Sequence, residues 1–276
     1  MIKVKHIKEV VLWIFLSALL IVMAMPIIWT IFNAFKSNFD IMNHPFALPK
    51  TLDFSNIIGA WRLARFDIYI FNTIFVTIMI VILTIVAACP AAYAFAHLKF
   101  KGNNILFYSL FIGLSIPNQT IIISAFYRMK ALGLLDSLWG LILISVGTGM
   151  PFAIFLMRNT YRDIPEELRE SARIDGAGEW KSFFAIFFPL GKAGIMALAV
   201  FSFIGSWNEY MYPLVLLISP QKQVIATAIT SFKTSMNTNF GYIFGAAVIS
   251  LVPSLLVYLL FQRSFIQGTT MGATKG

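Results

Sequence analysis

Charge is what this sequence has least of. Asp, Glu, Lys and Arg together make up 12% of its 276 residues, where a soluble domain carries about a quarter. With 59% hydrophobic residues and a mean hydropathy of +0.81, that scarcity argues against an ordinary soluble fold. Cysteine is nearly absent too. Cys89 stands alone, so there is no disulfide framework and no thiolate metal cluster. His6, His44 and His97 are scattered, without His-x-x-x-His spacing. No Gly-x-Ser-x-Gly elbow and no Walker loop occurs. No constellation for intramembrane catalysis is visible. If the protein moves a solute uphill, the energy must come from an ion gradient or from another subunit.

Long apolar runs, in contrast, are plentiful. Residues 10–35, 68–98, 102–127, 137–157 and 234–262 are free of Asp, Glu, Lys and Arg, and residues 182–208 are broken only by Lys192. Each is long enough to cross the hydrocarbon core, which takes about 20 residues. Lipid offers the backbone no hydrogen-bond partner, so such runs must be helical. The expectation is an all-α integral membrane protein with six transmembrane helices. Lys3, Lys5 and Lys8 before the first run imitate a signal peptide, but the run is too long and no small-x-small site closes it. It reads as a retained first helix. With the N-terminus inside, 13 Lys and Arg fall on the cytoplasmic side and 8 outside, as the positive-inside rule asks. Both termini are then cytoplasmic, and the net charge of +9 reflects topology rather than nucleic-acid binding.

The few acidic residues are not evenly spread. Six of the twelve (Asp163, Glu166, Glu167, Glu170, Asp175, Glu179) lie in one internal segment. Pro165 suits a first helical position, and Glu166 and Glu167 suit the positive end of a helix dipole. Glu166 with Arg169 and Glu170 with Arg173 are i,i+3 pairs. Leu168, Ser171 and Ala172 share a narrow face. Asp175-Gly176 ends the helix, and a second segment runs from Glu179-Trp180-Lys181 through residues 183–188 to Pro189. The prediction is a helix-turn-helix under the bilayer that presents a docking surface to a soluble partner. The plainer alternative is a solvated interhelical loop.

Within the spans, Glu209 follows Asn208 at the outer end of the fifth run. It either faces a cavity or is wetted at the interface. Asn118 and Gln119 follow Pro117, where they either repair the interrupted backbone bonding or face a solute path. Amides with aromatics such as Trp207 and Tyr210 suit a hydroxyl-rich solute.

Glu170-Ser171-Ala172-Arg173-Ile174-Asp175-Gly176-Ala177, followed by Phe187-Phe188-Pro189-Leu190, closely resembles the Glu-Ala-Ala motif of binding-protein-dependent ABC importer permeases. The likeness is closest to the carbohydrate subfamily, in the branch of the maltose importer's smaller permease, and covers nearly the whole chain. Pro26-Ile27-Ile28-Trp29 through Phe35-Lys36-Ser37, Ile116-Pro117 leading to Leu132-Gly133-Leu134, Ser206-Trp207-Asn208-Glu209-Tyr210 with Pro213-Leu214, and the glycine-rich ending carry it further. Ser171 replaces the family's first alanine. Gly191-Lys192-Ala193 stands where many members have Lys-Pro or Arg-Pro.

The resemblance implies a type I ABC importer fold in one permease domain over residues 1–276. Its parts are a first helix (10–35), a core (68–262), a coupling loop (163–181) and a tail (263–276). It implies that Glu170, Ser171, Ala172, Asp175, Gly176 and Ala177 form a coupling helix that docks on a cytoplasmic ATPase. The chain would then be a non-catalytic subunit with no cofactor of its own, ATP and Mg being held by the partner. Implied partners are a second permease, two ATPase copies, an extracellular solute-binding protein and a carbohydrate, in a bacterial cytoplasmic membrane. Asn118, Gln119, Trp207, Asn208, Glu209 and Tyr210 become translocation-path candidates, although in maltose-type heterodimers the sugar site lies largely on the other permease. Thr234, Ser235, Asn237 and Asn239 become candidates for touching the binding protein, and residues 268–276 either reach the ATPase interface or fray. A single-chain secondary transporter would need inverted repeats and intramembrane charge pairs, and neither is visible. A membrane scaffold would not need this loop and tail. Polyol, glycerol phosphate and uronide stay open as solutes.

Overall fold

The computed structural model describes residues 2–228, 232 and 239–270. Every regular element among them is helical. In chain order these are α1 (Ile2–Asn33), α2 (Asn38–Asn43), α3 (Ser55–Leu63), α4 (Phe66–His97), α5 (Asn103–Ser115), α6 (Asn118–Ala131), α7 (Leu138–Arg162), α8 (Glu167–Ile174), α9 (Glu179–Leu190), α10 (Lys192–Trp207), α11 (Met211–Leu216), α12 (Ile225–Ala228) and α13 (Phe240–Thr270).

Four helical stretches are long and apolar enough to span a bilayer: Lys8–Asn33, Phe66–His97, Leu138–Arg162 and Phe240–Leu260. All four of these helices carry an internal proline: Pro26, Pro90, Pro151 and Pro253. Membrane helices tolerate this because neighbouring groups can take up the freed carbonyl.

The other two expected spans are not straight. The run at 102–127 is α5 and α6, bent by 100° at Ile116-Pro117, and the run at 182–208 is α9 and α10, bent by 76° at Gly191. With 13 residues, α5 reaches about 20 Å, short of the roughly 30 Å core. The chain thus has four spans, or up to six if each bent pair crosses once. The physical reason lies in the local sequence. Pro117 has no N–H to continue α5, and the residue before a proline prefers extended backbone; Ile116 is extended (φ −90°, ψ 116°). Boundaries shift as well. The fourth span runs on past Met157 to Arg162, with Asp163 as its C-cap. The described part of the last helix begins at Phe240 and continues through Gln262 to Thr270.

Two compact units make up the chain. The first is Met1–Phe66 with Ala228–Val252. In it, Asn56 Nδ2 donates to the Ala34 and Lys36 carbonyls (3.1 and 2.7 Å). A Cβ at Gly245 would lie 2.7 Å from the Asn56 carbonyl oxygen, so α3 and α13 meet backbone to backbone there. Trp29 Nε1 donates to the Pro45 carbonyl (2.8 Å) and its ring packs edge-on against Phe244.

The second unit is Asp67–Thr227 with Pro253–Gly276, and it holds two apolar clusters. One joins α4, α5, α7, α9 and α10 through Ala88, Tyr93, Phe107, Met157, Phe187 and Leu198. Close helix approach at this cluster depends on small residues. A Cβ at Gly194 of α10 would fall 2.3 Å from Thr160 Oγ1 of α7. The other joins α4, α6, α7 and α11 through Val76, Met129, Leu141, Ile142, Tyr212 and Leu216.

Candidate functional site

The charged segment folds much as its sequence asks. α8 covers Glu167–Ile174, two residues after Pro165, with Glu166 as N-cap. Gly176 ends it at φ +78°, a left-handed conformation that glycine adopts without strain. The Ala177 amide reaches back to the Ala172 carbonyl (2.9 Å), and the turn leads into α9. There, residues 183–187 form a π turn that buries Phe183 and Phe187 against Tyr93 and Tyr161.

A polar clamp ties α8 to this packed base. Arg169 makes a two-pronged pair with Glu179, Nε to Oε2 at 3.0 Å and Nη2 to Oε1 at 2.8 Å. Its Nη1 reaches Glu166 Oε1 at 2.6 Å. Tyr93 Oη, from α4, donates to Glu179 Oε2 at 2.8 Å. His97, at the end of α4, lies with Nε2 2.9 Å from the Tyr161 carbonyl and Nδ1 2.5 Å from Glu166 Oε2. A carbonyl only accepts, so Nε2 carries a hydrogen. Burial alone would raise the Glu166 carboxyl, but hydrogen bonds from His97 and Arg169 hold it below its ordinary value. Arg169 is pushed up, chiefly by its hydrogen bond to Glu179. The expected Glu166–Arg169 pair is thus present. The expected Glu170–Arg173 pair is not among the ion pairs of the described residues.

The coupling candidates divide by face. Ala172 is 9% exposed and packs within the chain, so it supplies close approach on the inner side rather than a surface contact. Glu170, Ser171, Asp175 and Gly176 are exposed, and Ala177 is half-buried. Ser171 Oγ donates to the Glu167 carbonyl (2.8 Å). Apolar Leu168 and Ile174 are exposed too, Ile174 at 86%. Glu170 borders a cleft of about 680 Å³ whose wall includes Lys99, Lys101, Arg158 and Arg162.

The path candidates separate in the same way. Asn118 and Glu209 line one cavity of about 260 Å³ in the second unit. Thr84 of α4, Ser145 and Thr148 of α7, and Ser202 and Ser206 of α10 line it with them. Gln119 and Tyr210 are exposed and line no part of that cavity. Trp207 is buried and stacked on Phe203, and borders a narrow crevice beside Glu209. Asn208 Nδ2 turns back to the Ile204 carbonyl of its own helix (2.9 Å). Glu209 Oε1 accepts from the Met211 and Tyr212 amides (2.8 and 3.2 Å), so this carboxylate caps α11 while it borders the cavity. Asn239 Oδ1 accepts from the Tyr242 amide at the start of α13 (3.1 Å). Thr234, Ser235 and Asn237 lie outside the described residues, as does 271–276 of the tail; the backbone at 268–270 is helical.

Among the described residues, no group of three or more His, Cys, Asp or Glu side chains could hold a metal ion.

Sequence reasoning missed Tyr93 and His97, whose partners lie 86 and 69 residues away. A histidine closing a 32-residue apolar helix was the available signal. It also missed the cavity's serines and threonines, which look like ordinary packing residues in apolar runs.

Comparison with known proteins covers most of the chain. The family described as "Binding-protein-dependent transport system inner membrane component" matches residues 84–269. The Diacetylchitobiose uptake system permease protein NgcG of Streptomyces coelicolor is 32% identical, over 92% of this chain and 85% of its own length. The Arabinooligosaccharides transport system permease protein AraQ of Halalkalibacterium halodurans is 30% identical over 91% of each chain. The Trehalose transport system permease protein SugB of Mycobacterium tuberculosis is 28% identical, over 96% of this chain and 97% of its own. A solved bacterial ABC transporter involved in import of the acidic polysaccharide alginate contains a chain of the same fold, with TM-score 0.81 and 24% identity, matched over 94% of this chain and 97% of that one.

Proposed function

Because this chain belongs to the binding-protein-dependent transport system inner membrane components, we propose that it is a sugar-importer permease driven through α8 by a separate ATPase. The relatives at 28 to 32% identity are named for diacetylchitobiose, arabinooligosaccharide and trehalose uptake, which supports a carbohydrate, most simply an oligosaccharide, as the solute.

The observation that carries the reading is the clamp. A docking helix transmits force only if it cannot rotate on its base. Three side-chain contacts, His97 to Glu166 and the Arg169 fork to Glu179, fix α8 to the ends of α4 and α9, while Arg169–Glu166 braces α8 internally and Tyr93–Glu179 ties α4 to α9. Glu170, Ser171 and Ile174 stay exposed on the outside for a partner. When the ATPases close on ATP, α8 moves as a rigid body and the membrane helices switch between inward- and outward-open states. Glu170 pairs with a basic group on the ATPase, and Ser171 with Gly176 allows close approach. This chain contributes no hydrolytic chemistry. ATP and Mg belong to the partner. Both termini and α8 face the cytoplasm; an external binding protein delivers the solute, and a second permease completes the pathway.

The test is purification of the chain from its own membranes in mild detergent, with co-purifying proteins identified by mass. A second multispanning permease and a P-loop ATPase are expected. Recovery of the chain alone, or as a homodimer, would leave a secondary transporter as the reading.

A further inference from the structure

We infer that the cavity beside Glu209 is a solute subsite for neutral, hydroxyl-rich molecules, and that it turns away anionic ones. This rests on the importer reading and narrows it, since polyols, uronides and glycerol phosphate all remain open under that reading.

The wall is polar without being cationic. Thr84, Ser145, Thr148, Ser202 and Ser206 offer five hydroxyls, and Asn118 adds an amide. Among the described residues, no Lys, Arg or His lines the cavity, and Glu209 is the one charged residue on its wall. The two α11 amides hold Glu209 Oε1 in place and leave Oε2 for a further donor, such as a solute hydroxyl. Ser145 Oγ, on the same wall, is buried without a hydrogen-bond partner. A buried hydroxyl left unbonded is costly, so the wall holds hydrogen-bonding capacity that the protein itself does not use. Gly149 and Gly205 also line the cavity, and a Cβ at either would meet nothing within 4 Å. The space is therefore open where two helices present no side chain. A sugar hydroxyl both donates and accepts, so it suits serines, threonines, an amide and a carboxylate equally well. A carboxylate or phosphate group finds no counter-charge there and meets Glu209 instead.

The test uses the whole complex purified from membranes, in lipid nanodiscs and without binding protein. The probes are three neutral disaccharides (trehalose, diacetylchitobiose, arabinobiose) and two anions (digalacturonate, glycerol 3-phosphate), with retention read by equilibrium dialysis. At least one neutral probe is expected to be retained about tenfold or more over both anions, a floor close to the roughly sixfold that one unit-charge repulsion at about 4 Å gives in bulk water and far below the roughly thousandfold of a protein-like medium. Retention of either anion as strongly as the best neutral probe overturns the inference, and so does retention of none of the five.

Two variants make it sharper. Glu209→Gln keeps an oxygen for the α11 amides, and the anion-to-neutral ratio should rise about tenfold; an unchanged ratio overturns the role of Glu209. Gly205→Leu fills open space, and retention of every probe should fall; full retention overturns the location. A purified complex that lacks a P-loop ATPase instead sinks the importer reading, which separates the two failures.

Discussion

The clamp under α8 and the cavity beside Glu209 are both polar patches in an apolar chain, yet they are built on opposite rules. At the clamp, charges meet in fixed pairs. Arg169 spends all three guanidinium nitrogens on two carboxylates, and His97 has a partner at each ring nitrogen. At the cavity, the groups are mostly neutral hydroxyls, one carboxylate has no counter-ion among the described wall residues, and the buried Ser145 hydroxyl is left unbonded. A fork of charge-assisted hydrogen bonds fixes geometry, which suits a part that must carry force. Unused hydrogen-bonding capacity suits a part that must hold a solute and let it go.

Changes on α8 should have the largest effect. Glu170→Lys alters the outward docking group and leaves the fold untouched, so membrane abundance should stay normal while uptake is abolished. Full uptake by this variant would remove Glu170 from coupling. Arg169→Lys keeps the charge but loses the two-pronged fork. Uptake should fall at least about tenfold with coupling, because two carboxylates lose their shared partner. Uptake assays normalised to membrane abundance check both.

A second change tests the rigid base that the clamp stands on. Gly194→Val drives a side chain into Thr160, where even a Cβ falls 2.3 Å from Oγ1. Overpacking of this kind costs about 1–3 kcal/mol, read as a lower thermal midpoint of the detergent-solubilised protein. An unchanged midpoint would mean that α7 and α10 are not in close contact there.

The smallest effect is in pH. The Glu166 carboxyl is held below its ordinary value of 4.5. Its contribution is thus fully present above the unfolded value and is lost as pH falls through the folded one. Hydrogen-exchange protection of α8 should be unchanged between pH 7 and pH 5 and decline only below about pH 4.5. Protection already lost at pH 6 would contradict the pairing. Asp136 lies far from the clamp in sequence and obeys the same sign. It is depressed chiefly by the Ser219 hydroxyl and then by backbone amides, so Asp136→Asn should matter at pH 7 and cease to matter in strong acid.

The α8 helix was legible because its signals are local. Proline, paired charges at i,i+3 and an Asp-Gly stop all act within one turn, and α8 starts and ends within two residues of where they point. The spans were legible by length and hydropathy. Their bends were not, although Ile116-Pro117 and Gly191 mark both, because an apolar count does not weigh one residue that lacks an N–H or a side chain. The clamp's far partners escaped for a different reason. Nothing in the residues around His97 or Tyr93 encodes a contact 69 or 86 positions away. Trp207 is a converse case: its aromatic ring suits a sugar by chemistry, yet it stacks on Phe203, and plain serines and threonines line the larger space.

The central claim is that α8 sits on an ATPase. A cysteine placed at Ser171 and derivatised with a photoactivatable cross-linker tests it directly; the native Cys89 is fully buried and can be replaced by serine. Illumination of native membranes should join this chain to a P-loop ATPase, and the Glu170→Lys variant should abolish that adduct. Cross-links only to lipid or to a second copy of this chain would contradict the account.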